Sequence, residues 1–251
     1  MNFVSPPNQL VGRQFVHFDQ CDSTNHIAQQ LIQSQQASNG AVVHADEQLA
    51  GRGQQRSRWE SASAQNLTLS VIFFPELAIE QQHYLTILAS LSVYDTLTDL
   101  VHPPVAIKWP NDILCESSKI CGILIQNNLK GSKIHSTVIG IGLNVNQDHF
   151  LSEQATSLAL LAEQYWNREH VLRLLLQKID ARFNQLKTGE TTLLEQEYLD
   201  NMFWKDEKHL FEDKQGTFYG TIRGVDSSGR LAVEVDGAVR YYDTKELVYK
   251  F

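Results

Sequence analysis

Lys108 heads the run Lys108-Trp109-Pro110-Asn111-Asp112, where a short apolar stretch stops at a proline. A lysine beside a tryptophan and a chain-stopping proline is an unusual composition for a solvated surface, and Pro110 biases Trp109 toward an extended backbone. A second stretch, Gln48-Leu49-Ala50-Gly51-Arg52-Gly53-Gln54-Gln55-Arg56-Ser57-Arg58-Trp59, mixes glycines with arginines. Glycines let backbone N–H groups approach an anion, and arginines add charge-assisted bonds. The stretch lacks the G-x-x-x-x-G-K-[ST] of a Walker loop and is no Rossmann fingerprint. A solvated basic loop is its plain structural reading. Asp22-Ser23-Thr24-Asn25 falls between a strand and a helix candidate, where an ordinary N-cap would suffice. The last stretches are Lys119-Ile120-Cys121-Gly122-Ile123-Leu124 and Gly140-Ile141-Gly142-Leu143-Asn144-Val145-Asn146. A glycine inside a strand, such as Gly122, points to close backbone approach by a ligand or another strand, or to a bulge in a buried strand.

The elements that must position these residues follow from periodicity. Phe15–Phe18 is a short strand candidate, and Asp22 or Ser23 can cap a helix to about Gln36. Ala41–Ala45 is a strand after the Asn39-Gly40 turn, and Asp46–Asn66 has no apolar period and reads as a long loop. Leu67, Leu69, Val71 and Phe73 alternate with Thr68, Ser70 and Ile72 in a buried strand. Gln81–Leu100 is a helix stopped by Pro103-Pro104. Val105–Lys108 is a strand, Ile113–Cys115 and Lys119–Gln126 form a hairpin, and Lys133–Ile141 is a further strand. Helices are expected over Thr156–Tyr165 and Arg168–Lys187. Beyond Met202, short strands alternate with turns such as Asp236-Gly237, which suggests a small barrel. The expected organisation is an α/β domain over residues 1–205 and a small all-β domain over 206–251.

Composition narrows the function classes. The 251 residues carry 21 Lys+Arg against 29 Asp+Glu, a net charge of −8, which argues against a basic nucleic-acid footprint. With 42% hydrophobic and 20% charged residues the chain is ordinary for a globular protein. Three cysteines without a C-x-x-C pair give neither a disulfide framework nor a zinc knuckle, and nine histidines without H-x-x-x-H spacing offer no transition-metal motif. MNFVSPPNQL is no signal peptide and no apolar run could span a bilayer, so a cytoplasmic protein without membrane contact is expected.

In this order and spacing, G-R-G-x-x-x-x-x-W, K-W-P-N-D and K-x-x-G-I-L resemble the biotin protein ligases, biotin–[acetyl-CoA-carboxylase] ligases, over essentially the whole chain. The resemblance implies a class II synthetase-like mixed α/β catalytic domain with a C-terminal SH3-like β-barrel. It implies ATP and biotin as substrates, Mg²⁺ carried with the nucleotide, and a biotin carboxyl carrier protein as acceptor. On that resemblance Ser23, Thr24, Asn25 and Gln48 bind the biotin ring, and Gly51, Arg52, Gly53 and Gln54 close over biotin and its adenylate. Lys108 bridges the biotin carboxylate and the α-phosphate, with Arg52 and Asp112 as further catalytic groups and Gly122 on the biotin side. Trp59, Asn111, Lys119 and Asn144 line the nucleotide side. No metal ligands are expected in the chain.

Where such ligases carry R-x-G-R after G-R-G, this chain has Gln54-Gln55-Arg56-Ser57, so faster escape of the adenylate is expected. A lipoate- or octanoate-type ligase is the nearest alternative, but its R-R-x-x-G-G-G segment is absent. A non-catalytic biotin-binding protein is disfavoured by the presence of Lys108. The ligase-like part begins at Asp22, leaving too few residues before it for a helix-turn-helix, so a form without a DNA-binding domain is expected. A monomer and a homodimer both remain open. Docking of the carrier by strand pairing near the site is a further expectation.

Overall fold

The computed structural model describes residues 3–51, 53 and 59–251. Seven strands form a mixed sheet. β1 (Phe15–Cys21) and β2 (Ala41–Gln48) are parallel and joined by α1 (Thr24–Gln33). β3 (Leu67–Phe73), β4 (Val105–Lys108), β5 (Asp112–Cys115), β6 (Ser118–Lys130) and β7 (Lys133–Leu143) complete it in the order β1-β2-β3-β7-β6-β5-β4, antiparallel from β2 onward. α2 (His83–Thr98), α3 (Leu158–Ala162), α4 (Arg168–Thr188) and α5 (Thr191–Asp200) follow the chain order.

Because side chains alternate along a strand, ladder register decides what each face of the sheet carries. One face presents Ala41, Ile72 and Val138 in register, which with Val43 and Ala28 form a small core under α1. Further along that face the row becomes Val43, Ser70, Gly140, then Ala45, Thr68, Gly142 and Gly122. The small residues leave a bare floor beyond the end of α1. The opposite face carries Val42, Val71 and Ile139 in the main core, which they share with buried leucines of α2 and α4. Leu85, Leu88 and Leu91 of α2 are fully buried, each contributing roughly 1.5–3 kcal/mol on burial. α2 lies between the sheet and the α4–α5 pair, so it is apolar almost all round. Two of its buried hydroxyls are satisfied internally, Ser92 donating to the Leu88 carbonyl at 2.7 Å and Thr96 to that of Ser92 at 2.7 Å, while the Ser90 hydroxyl is buried without a partner.

A second sheet, antiparallel throughout, contains β8 (Lys208–Asp213), β9 (Gly216–Val225), β10 (Leu231–Val235), β11 (Ala238–Tyr242) and β12 (Val248–Tyr249) in the order β11-β10-β9-β8-β12. Asp236 and Gly237 both have positive φ, 50° and 79°, as a two-residue hairpin turn of this hand requires. The expected barrel is thus a five-stranded sheet, and among the described residues no ladder joins β11 to β12. The helix expected over Thr156–Tyr165 is shorter. Ser157 caps it through Leu160 N–H, and Glu163 leaves it in a left-handed conformation at φ 50°. Helix α5 lies where no element was expected. Among the described residues no helix is long and apolar enough to cross a membrane.

The stems of the long loop are clasped from beneath. Ala64 N–H donates to the Asp46 carbonyl at 2.9 Å, and Arg168 Nη1 of α4 donates to both Asp46 Oδ1 at 2.8 Å and the Asn66 carbonyl at 3.2 Å. Asp46 Oδ2 lies 3.3 Å from His17 Nε2, and the Nδ1 atoms of His17 and His44 are 3.0 Å apart. His44 is fully buried with Nε2 unpartnered, so the proton belongs on its Nδ1, leaving a bare lone pair rather than an orphaned N–H. His17 then accepts at Nδ1 and donates from Nε2 to Asp46.

Burial pushes the His44 pKa from 6.5 down to about 4, with Asp46 opposing the shift. A folded pKa below the unfolded one gives stability that is complete above about pH 6.5 and lost as pH falls toward about 4. The drop corresponds to about 3 kcal/mol. Urea unfolding at pH 7.5 and 4.5 should show the wild-type chain losing that much more stability than His44→Gln. Equal losses in the two proteins would contradict the assignment.

Candidate active site

The bare floor opens into a cleft of about 760 Å³ between the seven-stranded sheet and the C-terminal sheet. Ser23, Thr24, Asn25, Gln48 and Gly53 line one end of the sequence-expected set, and Trp59, Lys108, Asn111, Asp112, Lys119 and Gly122 complete it. Asn144 lies in an adjoining recess of about 290 Å³, shared with Trp59, Lys108, Asp112 and Lys119. Gly51 does not line the cleft, but its carbonyl accepts from the Trp59 N–H at 3.0 Å and so closes the base of the loop. Arg52 and Gln54, with the rest of the Gln54-Gln55-Arg56-Ser57 segment, lie outside the described residues.

At one end a polar network reads across four elements. Ser23 stands at the N-cap of α1, yet its side chain makes no capping bond, so the plain N-cap reading of this turn fails. Gln48 Oε1 instead accepts from Thr24 N–H at 2.8 Å and lies 3.1 Å from Thr24 Oγ1. Ser70 Oγ sits 2.7 Å from Thr24 Oγ1 and 2.6 Å from Asn25 Oδ1. Asn25 Nδ2 donates to Gln126 Oε1 at 2.9 Å. Ser70 and Gln126 were not expected. A hydroxyl among the buried positions of β3 is the signal that could have found Ser70. Gln126 is placed only by the β6–β7 register. Gly140 is required here, because a Cβ on it would lie 2.2 Å from Asn25 Oδ1.

Beyond the network the Trp59 indole packs against Gly122 and Gly142, register partners on β6 and β7. A Cβ on Gly142 would meet its Cε2 at 2.3 Å, and one on Gly122 its Cζ3 at 2.9 Å. Lys119 Nζ is 5.8 Å from the indole centroid. Trp59 Nε1 and Asn144 Oδ1 are buried without partners, while Asn144 Nδ2 donates to the Thr156 carbonyl at 2.9 Å. A donor and an acceptor left open in one recess are groups for a ligand with a heteroaromatic edge.

The K-W-P-N-D turn joins β4 to β5 with a cis Trp109–Pro110 bond. Four of its five residues are tied by hydrogen bonds or an ion pair. Trp109 Nε1 donates to the Gly229 carbonyl of the second sheet at 3.0 Å, Tyr198 Oη donates to the Pro110 carbonyl at 2.9 Å, and Asn111 Nδ2 donates to the Ile123 carbonyl. Asp112 pairs with Lys119 Nζ at 2.6 Å. Lys108 has no such ion pair among the described residues. Its Nζ lies over the rings of Tyr249 at 4.8 Å and Phe251 at 4.9 Å, two residues that sequence reasoning did not bring to the site. Burial, opposed by Asp112 and reinforced by Lys119, holds the Lys108 pKa below the usual lysine value. The outer edge of β4 beside Lys108 is already occupied: Ile107 N–H donates to the Asn201 carbonyl at 2.8 Å and its carbonyl accepts from Phe203 N–H at 2.9 Å. Strand pairing by another chain at this position is therefore blocked.

The sequence profile of the Biotin/lipoate A/B protein ligase family matches residues 17–144. The bifunctional ligase/repressor BirA of Bacillus spizizenii is 30% identical over 92% of this chain and 73% of its own length. The biotin–[acetyl-CoA-carboxylase] ligase of Mycobacterium tuberculosis is 28% identical over 96% of this chain and 93% of its own. The biotin protein ligase of Aquifex aeolicus, solved in complex with biotin and ATP, superposes with a TM-score of 0.78 at 25% identity, covering 95% of this chain and all of that one.

Proposed function

The chain belongs to the Biotin/lipoate A/B protein ligase family, and on that premise we infer that its cleft joins a carboxylic acid to the α-phosphate of ATP and passes the acyl group to a lysine of a carrier protein. It is an ATP-dependent biotin–protein ligase of the biotin–[acetyl-CoA-carboxylase] type, and its acceptor is the biotin carboxyl carrier protein. One observation carries the reading: a polar network, a glycine floor and a lysine without a competing carboxylate share a single cleft. The division of the chain near residue 205 belongs to the same proposal, with β8 starting the second unit at Lys208.

Adenylation brings a carboxylate onto a polyphosphate. At ~4 Å and an effective dielectric of about 20, each pair of unit charges repels by roughly 4 kcal/mol. The Lys108 ammonium offsets this between the two anions, with Gly53 beside them on the cleft wall. The network of Gln48, Thr24 and Ser70, with Ser23 at its rim, receives the ureido ring of biotin. Asn25 has both ends of its amide engaged by Ser70 and Gln126, so it holds the network in shape. Trp59 and Asn144 take the adenine side. Asp112, held by Lys119, is the sole carboxylate side chain among the described residues lining the cleft, which fits Mg²⁺ entering as part of the nucleotide substrate. Expelling water protects the mixed anhydride once formed. In the second step the carrier amine must arrive neutral. A free lysine of pKa ~10.4 is neutral only about once in ~2,500 molecules at pH 7, and Lys108 nearby favours its deprotonation.

Pyrophosphate release with biotin, lipoate and octanoate as competing acids tests the reading. Biotin is expected to win by at least ~10²-fold in kcat/KM, because acids without a ureido ring forgo the hydrogen bonds that the buried network offers. Equal turnover of octanoate would reassign the cleft to another acid.

A further inference from the structure

We propose that Tyr249 and Phe251 are positioning residues for adenylation, their two rings forming an aromatic cage that holds the Lys108 ammonium at the cleft between the two sheets. The inference rests on the ligase reading above for its consequence, but the cage stands on geometry alone. Lys108 Nζ is 4.8 Å from the Tyr249 centroid and 4.9 Å from that of Phe251, inside the range where a ring face attracts a cation. Both rings line the same cleft as Lys108.

The chemistry explains why rings suit this place. A carboxylate partner would neutralise the ammonium and compete with the anionic substrates for it. A ring face stabilises the cation without supplying a counter-charge, so the whole charge remains for carboxylate and phosphate. The nearest acid across the β4–β5 ladder, Asp112, is diverted to Lys119 at 2.6 Å. The groups facing Lys108 are then Asp112 from β5, Lys119 from β6 and the Tyr249 ring from β12, with Phe251 beyond it. The Tyr249 hydroxyl is buried without a partner, so the ring, and not the hydroxyl, does the holding. Val248 and Lys250 alternate with these residues along the same segment, and Lys250 Nζ is turned to Glu212 at 2.7 Å.

The test replaces rings by leucine, which keeps the apolar cover and removes the π face. In the full chain labelled with ¹³Cε-lysine, the Lys108 resonance is identified by its loss in Lys108→Arg and titrated by NMR. Tyr249→Leu and Phe251→Leu should each move its midpoint to lower pH by about half a unit, while Tyr249→Phe and Phe251→Tyr restore it. In parallel, kcat for biotin-dependent pyrophosphate release should fall about three- to tenfold in the leucine variants, with the alkaline limb moving the same way. Unshifted titration of Lys108 in both leucine variants overturns the cage. Phe251 is about half exposed at 54%, so Phe251→Leu remains folded and informative even where Tyr249→Leu does not. Should the wild-type chain release no pyrophosphate with biotin, the ligase reading fails while the titration still decides the cage.

Discussion

Lys108→Ala is expected to lower kcat/KM for biotin-dependent pyrophosphate release by at least ~10²-fold, the loss of about 3 kcal/mol of charge stabilisation in a water-poor site. The size follows from what else could substitute. Lys119 is a cation whose charge already acts on Lys108, but it is spent on Asp112 at 2.6 Å. Lys250 is spent on Glu212 at 2.7 Å. Neither can leave its partner without exposing a carboxylate to the incoming anions. The loss should fall on kcat more than on the KM for biotin, since the ring-binding network lies at the other end of the cleft and is untouched. The pH profile gives a second check. Activity needs the charged ammonium, so it is present below the Lys108 pKa and is lost as pH rises through it. Burial lowers that pKa, which places the alkaline limb below the 10.5 of an ordinary lysine. Retention of more than a tenth of wild-type kcat/KM by Lys108→Ala, measured by pyrophosphate release from pH 7 to 10, would remove Lys108 from the chemistry.

Local signals carried the elements well where composition was unambiguous. Val105–Lys108 is a strand with the expected bounds, because Pro104 and Pro110 bracket it, and Asp236-Gly237 turns between β10 and β11 as its two residue types require. Helix α5 was invisible because TTLLEQEYLD buries only Leu194 and Tyr198, one turn apart, too thin a stripe to read as a period. The site was legible in its motifs and illegible in its contacts. Thr24 and Asn25 meet Ser70, and Asn25 meets Gln126, only because β3, β7 and β6 lie side by side in that register, and the Asn25 spacings of 45 and 101 residues say nothing of it. Tyr249 and Phe251 reach Lys108 through the docking of one sheet on another, fixed by contacts such as Trp109 to Gly229 rather than by any periodicity. Asp112 was expected beside the chemistry, and its pairing with Lys119 depends on a bulge between Ile113 and Leu114 in the β5–β6 ladder.

Gly140→Ala should raise the Kd for biotin at least tenfold while leaving ATP binding nearly intact, and Gly142→Ala should do the reverse. The two glycines are two residues apart on one face of β7, so the contrast isolates what each supports. An alanine Cβ at Gly140 would stand 2.2 Å from Asn25 Oδ1 and 3.0 Å from Cγ. Such an overlap is cheap where a side-chain tip can swing away, but this amide is held at both ends, by Ser70 at 2.6 Å and Gln126 at 2.9 Å. Moving it breaks both bonds and shifts Ser70, through which Thr24 and Gln48 are aligned. Crowding of this kind also costs about 1–3 kcal/mol of stability. At Gly142 the Cβ would instead meet the indole of Trp59 at 2.3 Å from Cε2 and 2.6 Å from Nε1. The ring must lift off the floor, and with it goes the wall shared with Asn144, while the amide network is two residues away and unstrained. Calorimetric titration of each variant with biotin and, separately, with ATP reads the split. Equal weakening of both ligands by both variants would mean that the floor acts only as a general support, and that the cleft has no division into a ring end and a nucleotide end.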